Sequence, residues 1–352
     1  MNTHYDTILV GQGIAGSVLS YSLLKAGQSV LVIDTSNDYS ATKAAAGLIN
    51  PITGRYYTKT WMIEDLLPAA IKTYQDLEVT LDCKLWYPAE IYRVLHTITQ
   101  VNDWESKVLK DGYQDYCESV HTLGKYEGLT TKGEGIAHIK QGGRVAINVL
   151  VSKYKQYLIS QSAYLDEQFD HSKLGVSSDQ VKYGEFNAKS IVFAEGVGAL
   201  NNPYFQDLPL QPAKGEAVHL SLSNEALPDQ ILKHKEYLVP NSETNTFWSG
   251  GGFKWKAKDG LPTQEFRERY TANLDTFMQS DYTIVNHVAG IRPCVKDRKP
   301  LIGRHHQHPN MYLFNGMGTK GTSLSPYFAE MLVQLILHDT PVLSEVDIRR
   351  FQ

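Results

Sequence analysis

The chain has 352 residues, of which 42% are hydrophobic, enough to bury a sizeable core in about two domains and too many for a disordered linker. Its formal net charge is −4 and no long basic run occurs. The electrostatic footprint of a nucleic-acid binder is therefore missing, and small molecules are the expected partners.

The opening residues carry neither the basic start nor the apolar stretch of a signal peptide, and no apolar run approaches the ~18 residues of a membrane span. A cytoplasmic protein with no membrane partner is expected. The cysteines, Cys83, Cys117 and Cys294, are odd in number and widely spaced. That suits neither a disulfide framework nor a zinc site and implies a reducing compartment.

Residues 5–10 form a short apolar run rich in β-formers, and 11–27 follow with a glycine turn and helical spacing through Val18, Leu19, Leu23 and Leu24. A second apolar run, 29–33, ends at Asp34. Strand, glycine turn, helix and strand make a βαβ unit and predict a parallel sheet. The stretch 61–77 reads as a helix with Pro68 as a potential kink, and 81–144 mixes short strands with many turn residues. A helix over 148–159, a buried strand over 190–193 and a glycine turn at Gly196 resume the α/β style. From 211 to 286 strands dominate, including 237–239 and 246–249, beside one charged helix over 265–279. Strands over 300–303 and 311–314 and a closing helix over 326–338 complete the chain. The fold class is α/β, with a Rossmann-type nucleotide-binding domain interleaved with a strand-rich α+β substrate domain. The first takes 1–80, 141–210 and 288–352; the second takes 81–140 and 211–287.

The strongest local signal is GQGIAG, residues 11–16, set between an apolar strand and an amphipathic helix. Gly11 permits the tight turn, Gly13 lets a pyrophosphate approach the backbone, and Gly16 lets the helix lie close to the sheet. With Ile14 and Ala15 at its start, the helix offers N–H groups and its positive dipole end to a phosphate. Asp34, 23 positions after Gly11, is placed to accept a hydrogen bond from an adenosine ribose. No neighbouring arginine suggests a 2′-phosphate, which disfavours NADP. The motif does not separate FAD from NAD, and a glycine turn that merely packs a helix is the bland alternative.

Four segments follow one another in order: GQGIAG with Asp34 and AAAGLINP (44–51), SIVFAEGVGA (190–199), AGIRPCVKDRKPLIG (289–303) and FNGMGTKGTSLSP (314–326). Together they resemble the D-amino acid oxidase superfamily, especially its glycine oxidase and sarcosine oxidase members. The resemblance implies FAD, held non-covalently. It places Ala45, Ala46 and Gly47 along the flavin, where small side chains let a flat ring approach the backbone. Ala194 and Gly196 contact the cofactor from the second segment, with Glu195 where relatives usually carry a small residue. Gly316, Gly318, Thr319, Lys320 and Gly321 form a loop over the flavin's pyrimidine edge, where N–H groups and a helix start stabilise negative charge.

Carried over from the family, Arg292 grips a substrate carboxylate, a role that suits its planar fork of donors. A structural ion pair is the alternative. Tyr237 in YLVP is similar to a substrate-pocket tyrosine, and Lys254 in GGFKW to the lysine that sarcosine oxidase places by the flavin to help oxygen react. Buried packing and an exposed strand lysine are the competing readings. Cys294 lies near Arg292, but its surroundings match a flavin-attachment site poorly. His305, His306 and His308 have no acidic partners alongside and read as a solvated loop, so no metal is assigned.

The implied activity is oxidation of a CH–NH or CH–NH2 donor, a small amine or amino acid. Hydride passes to the flavin, the imine hydrolyses, and oxygen reoxidises the cofactor. Three alternatives stay open: a flavin dehydrogenase with another acceptor, a flavin oxidoreductase of the tRNA-wobble-modification type, and an FAD-binding protein without turnover.

Overall fold

A computed structural model of the chain describes residues 3–35, 40–120, 122–222, 228–255 and 259–351, without the Phe253 side chain. The first strand, His4–Val10, buries Leu9 in one core and Ile8 and Val10 in another. A sheet covered on both faces needs apolar residues on both, which is why 5–10 shows no alternation. Its neighbours are parallel: Val30–Asp34 and then Tyr164–Asp166 on one side, Phe186–Phe193 and then Met311–Asn315 on the other. Helix Ile14–Lys25 crosses between the first two strands and buries Val18, Leu19 and Leu23, each stabilising by roughly 1.5–3 kcal/mol when removed from water. It packs against helix Gly321–His338, which packs in turn against Ile63–Leu81. Because these strands point the same way, the turns that leave them open along a single edge.

A second sheet of eight strands runs in the order Tyr282–Val295, Leu210–Leu222, Thr246–Trp255, Tyr237–Asn241, Ile231–Lys233, Ile91–Leu95, Gly135–Ile139 and Cys117–Val120. One face packs through Val218, Leu220 and Phe247 onto Phe266 and Tyr270 of helix Gln264–Leu274. Strand alternation puts Ala213, Gly215, Ala217 and His219 on the opposite face, with Arg292 paired across from Ala213. That face looks toward the open edge of the parallel sheet. Among the described residues no helix is long and apolar enough to cross a membrane.

Three elements differ from expectation. The region expected to hold only strands and turns also contains helix Ile98–Val108, in which Trp104 is the one buried side chain, too few to print an apolar stripe. The charged helix stops at Leu274, because the chain then turns so that the Gln279 N–H reaches the Leu129 carbonyl. The closing helix begins at Gly321, five residues before Pro326. Pro326 has no N–H to give the Thr322 carbonyl one turn back, and the buried Tyr74 hydroxyl donates to that carbonyl at 2.6 Å instead.

Candidate functional site

The first strand leaves the sheet at Gly11, with φ of 101°, and Gly13 caps helix Ile14–Lys25. Gly16 lies where a Cβ would stand 1.9 Å from the Gly11 carbonyl oxygen, so only glycine lets the helix start so close to the strand. The Ile14 N–H donates to Thr42 Oγ1 at 3.1 Å. Thr42 thus stands with its hydroxyl at the helix N-terminus, and the sequence reading missed it. Asp34 ends the second strand on the same edge. Burial pushes its carboxyl up to about 6, opposed by the Gln12 backbone N–H and the charge of Lys155.

The other two turns join the first. The Ala194 N–H donates to the Val10 carbonyl at 2.8 Å, and Asn315 Nδ2 donates to the Gly196 carbonyl at 2.8 Å. The Gly318 N–H reaches the Pro293 carbonyl at 3.2 Å, tying the last turn to the Arg292 strand. Glu195 points its carboxylate at His171, 2.9 Å away, and Asn202, 2.7 Å away, so an acid is accommodated in this turn by two partners. One cavity of about 1400 Å³ runs past Gly11, Asp34, Ala194, Gly196 and Gly318. Gly13, Ile14, Ala15, Thr319, Lys320 and Gly321 also line it. Burial lowers the pKa of Lys320, aided by the charge of Arg298.

Gly16 and Gly316 are not on the cavity wall. Both act through packing, Gly16 against Gly11 and Gly316 against Val295 and Leu301. The alanine-rich loop lines the middle of the cavity through Ala45, Ala46 and Gly47. Two contacts dock it on the second sheet: Trp248 Nε1 donates to the Ala44 carbonyl at 3.0 Å, and Asn50 Nδ2 donates to the Tyr237 hydroxyl at 3.2 Å. Arg144 and Glu243, 2.6 Å apart, form a largely buried ion pair on the same wall. The sequence reading placed Tyr237 in the substrate pocket and Ala44 and Asn50 within the flavin-side loop, but not Trp248, Arg144 or Glu243.

Arg292 and Tyr237 face this cavity from the second sheet. The Arg292 guanidinium lies flat on Gly215, where a Cβ would come 2.0 Å from Nη2, and its Nη1 donates to the Gly252 carbonyl at 2.8 Å. Burial draws its pKa down from the ordinary arginine value, yet a guanidinium stays cationic in proteins. Gly215 and Gly250 on the same wall carry no side chain, which leaves room beside Arg292 for a small molecule. His219 also lines the cavity, and burial lowers its pKa.

Lys254 lies elsewhere. Its side chain is 59% exposed, pairs with Glu265 at 3.5 Å and does not line the cavity: simple alternation from Trp248 and Gly250 would turn it inward, but a register shift between Lys214 and Glu216 of the neighbouring strand sets it opposite Lys214, on the outer face. Burial pushes the Cys294 thiol up, which disfavours a thiolate. The histidine loop is less solvated than expected: His305 is buried, its Nε2 bonded to the Tyr204 carbonyl and its Nδ1 to the N–H groups of Gln307 and His308.

The cavity exceeds the roughly 300–1,000 Å³ of ordinary small-molecule sites, and its polar features sit where an extended dinucleotide needs them. A helix N-terminus with Thr42 suits a pyrophosphate, Asp34 suits a ribose, and small residues at 45–47 suit a flat ring. Fold and site thus define a dinucleotide-dependent enzyme with a separate sheet over the reactive end.

The chain belongs to the FAD-dependent oxidoreductases: the family model of that description matches residues 6–335. FAD is its cofactor. Among similar proteins are glycine oxidase of Pseudomonas putida, 23% identical over 96% of each chain, and glycine oxidase of Bacillus licheniformis, 26% identical over 98% of this chain and 96% of that one. In three dimensions the fold is similar to that of glycine oxidase from Geobacillus kaustophilus, at 19% identity and a TM-score of 0.81, covering 100% of this chain and 98% of that one.

Proposed function

We propose that the enzyme oxidises a small amine or amino acid, with Arg292 holding the substrate carboxylate and oxygen as the electron acceptor. The carrying observation is a guanidinium seated on Gly215, on the wall of the same cavity that the three glycine turns line. A planar pair of charge-assisted donors suits a carboxylate better than any neutral group. The glycine oxidase relatives support the same reading.

FAD, when bound, would supply the hydride acceptor for the substrate's C–H bond. Thr42 and the start of helix Ile14–Lys25 would hold its pyrophosphate, Asp34 its ribose, and the loops at 45–47 and 318–321 its ring. Burial, which pushes the Cys294 thiol up and disfavours a nucleophilic thiolate, supports non-covalent attachment. The protein's own contribution is orientation. Arg292 would fix one end of the substrate, and Gly215 and Gly250, which carry no side chain, let it lie close. A substrate amine that arrives neutral needs no protein base.

Anaerobic addition of a panel of amines and amino acids, followed through the yellow flavin absorbance, tests this directly. Bleaching by a carboxylate-bearing amine, with hydrogen peroxide formed on admitting air, is expected. Arg292→Lys should raise KM for that substrate while leaving the flavin spectrum intact, and an unchanged KM removes the assignment of Arg292.

A further inference from the structure

The Tyr237 hydroxyl can donate or accept, and its neighbours determine which role faces the cavity. Asn50 Oδ1 takes the Ile52 N–H at 2.9 Å, which only an oxygen can accept, so the side-chain amide has one orientation. Its nitrogen therefore points at Tyr237 and donates to the phenol oxygen at 3.2 Å. Thr60 pins the same residue from the other side, its hydroxyl donating to the Asn50 carbonyl at 2.9 Å. Among the described residues none accepts the Tyr237 proton, and both Asn50 and Tyr237 line the cavity. Burial raises the Tyr237 pKa, so the proton is retained.

We propose that Asn50 is a positioning residue that makes Tyr237 an obligatory hydrogen-bond donor to the substrate's carboxylate. This rests on the carboxylate reading given above. Replacing the amide by a group that cannot donate leaves the phenol free to turn its proton away from the cavity.

The test uses the FAD-loaded full chain and acetate as probe, with binding read from the perturbed flavin absorbance. Asn50→Ser keeps a short acceptor for Ile52 but loses the reach to Tyr237, and acetate binding should weaken about fivefold. KM for the amino-acid substrate should rise by a similar factor, with kcat nearly unchanged. In a Tyr237→Phe background the same substitution should cost nothing further. If Asn50→Ser does not yield folded yellow protein, Asn50→Ala is compared in the same two backgrounds. An equal loss with and without the Tyr237 hydroxyl, or no loss in either, overturns the role of Asn50 alone. Absence of any acetate response in the unmodified enzyme overturns the carboxylate reading beneath it.

Discussion

The nucleotide end of the cavity is made of main chain and the substrate end of side chains, and the two are specified differently. At the first, parallel strands end on one edge, and glycine turns there expose N–H groups whatever the surrounding side chains are. At the second, Arg292, Tyr237 and His219 come from three different strands, and their aim depends on what neighbouring positions omit, as at Gly215. The first end is therefore robust to most substitutions except those that add a Cβ. The second is adjustable one residue at a time, which is how related folds come to act on different molecules.

The largest effect that contrast predicts is at Gly16. A side chain there meets a backbone oxygen at 1.9 Å, and main chain cannot swing aside as a side chain can. Gly16→Val should purify without flavin, measured as visible absorbance per chain. Normal flavin content would break the claim that the main-chain end is the intolerant one.

Gly215→Ala should come next. Its new methyl overlaps the guanidinium, so KM for the amino-acid substrate should rise by about tenfold or more, with flavin content unchanged. Equal loss of flavin and substrate affinity would erase the distinction between the two ends.

Asp34 offers a smaller effect with a defined sign. Burial pushes its carboxyl up to about 6, and a carboxylate accepting ribose hydroxyls is favoured in its ionised form. FAD affinity should therefore fall as pH drops through 6, by at most about tenfold per pH unit, and Asp34→Asn should flatten that slope. Apoprotein stability should move the other way. A folded pKa above the unfolded value of roughly 3.9 stabilises fully below the latter and loses that contribution as pH rises through 6. The difference in unfolding free energy between the wild type and Asp34→Asn checks it.

The smallest effect is expected at Lys254. Exposed and paired with Glu265, it should change both anaerobic reduction and reoxidation less than twofold on conversion to Met. Selective slowing of reoxidation would return it to the substrate end.

The same contrast explains what the sequence discloses. GQGIAG, the turn at Gly196 and the loop at 318–321 are each contiguous, and their chemistry resides in the backbone, so the first can be read from its spacing and the other two from their resemblance to the family. Thr42, Trp248 and Asn50 act across the fold. Trp248 meets Ala44 over 204 residues and Asn50 meets Tyr237 over 187, and no local pattern records such a meeting. Lys254 shows the converse case: a resemblance placed it near the flavin, and alternation from Trp248 and Gly250 would have agreed, but a register shift that no sequence pattern marks sets it opposite Lys214 on the outer face. Helix Ile98–Val108 was hidden because a single buried tryptophan leaves no period to detect.

The borrowed hydroxyl of Tyr74 has a consequence for descent. A proline inside a helix orphans a carbonyl, and here a phenol from a segment 248 residues away adopts it. Losing the phenol alone leaves that oxygen without a donor, whereas replacing Pro326 alone adds an N–H that the same oxygen can accept beside the phenol through its second lone pair. The dependence therefore runs one way: a chain that keeps the proline needs the tyrosine, and one that keeps the tyrosine can do without the proline.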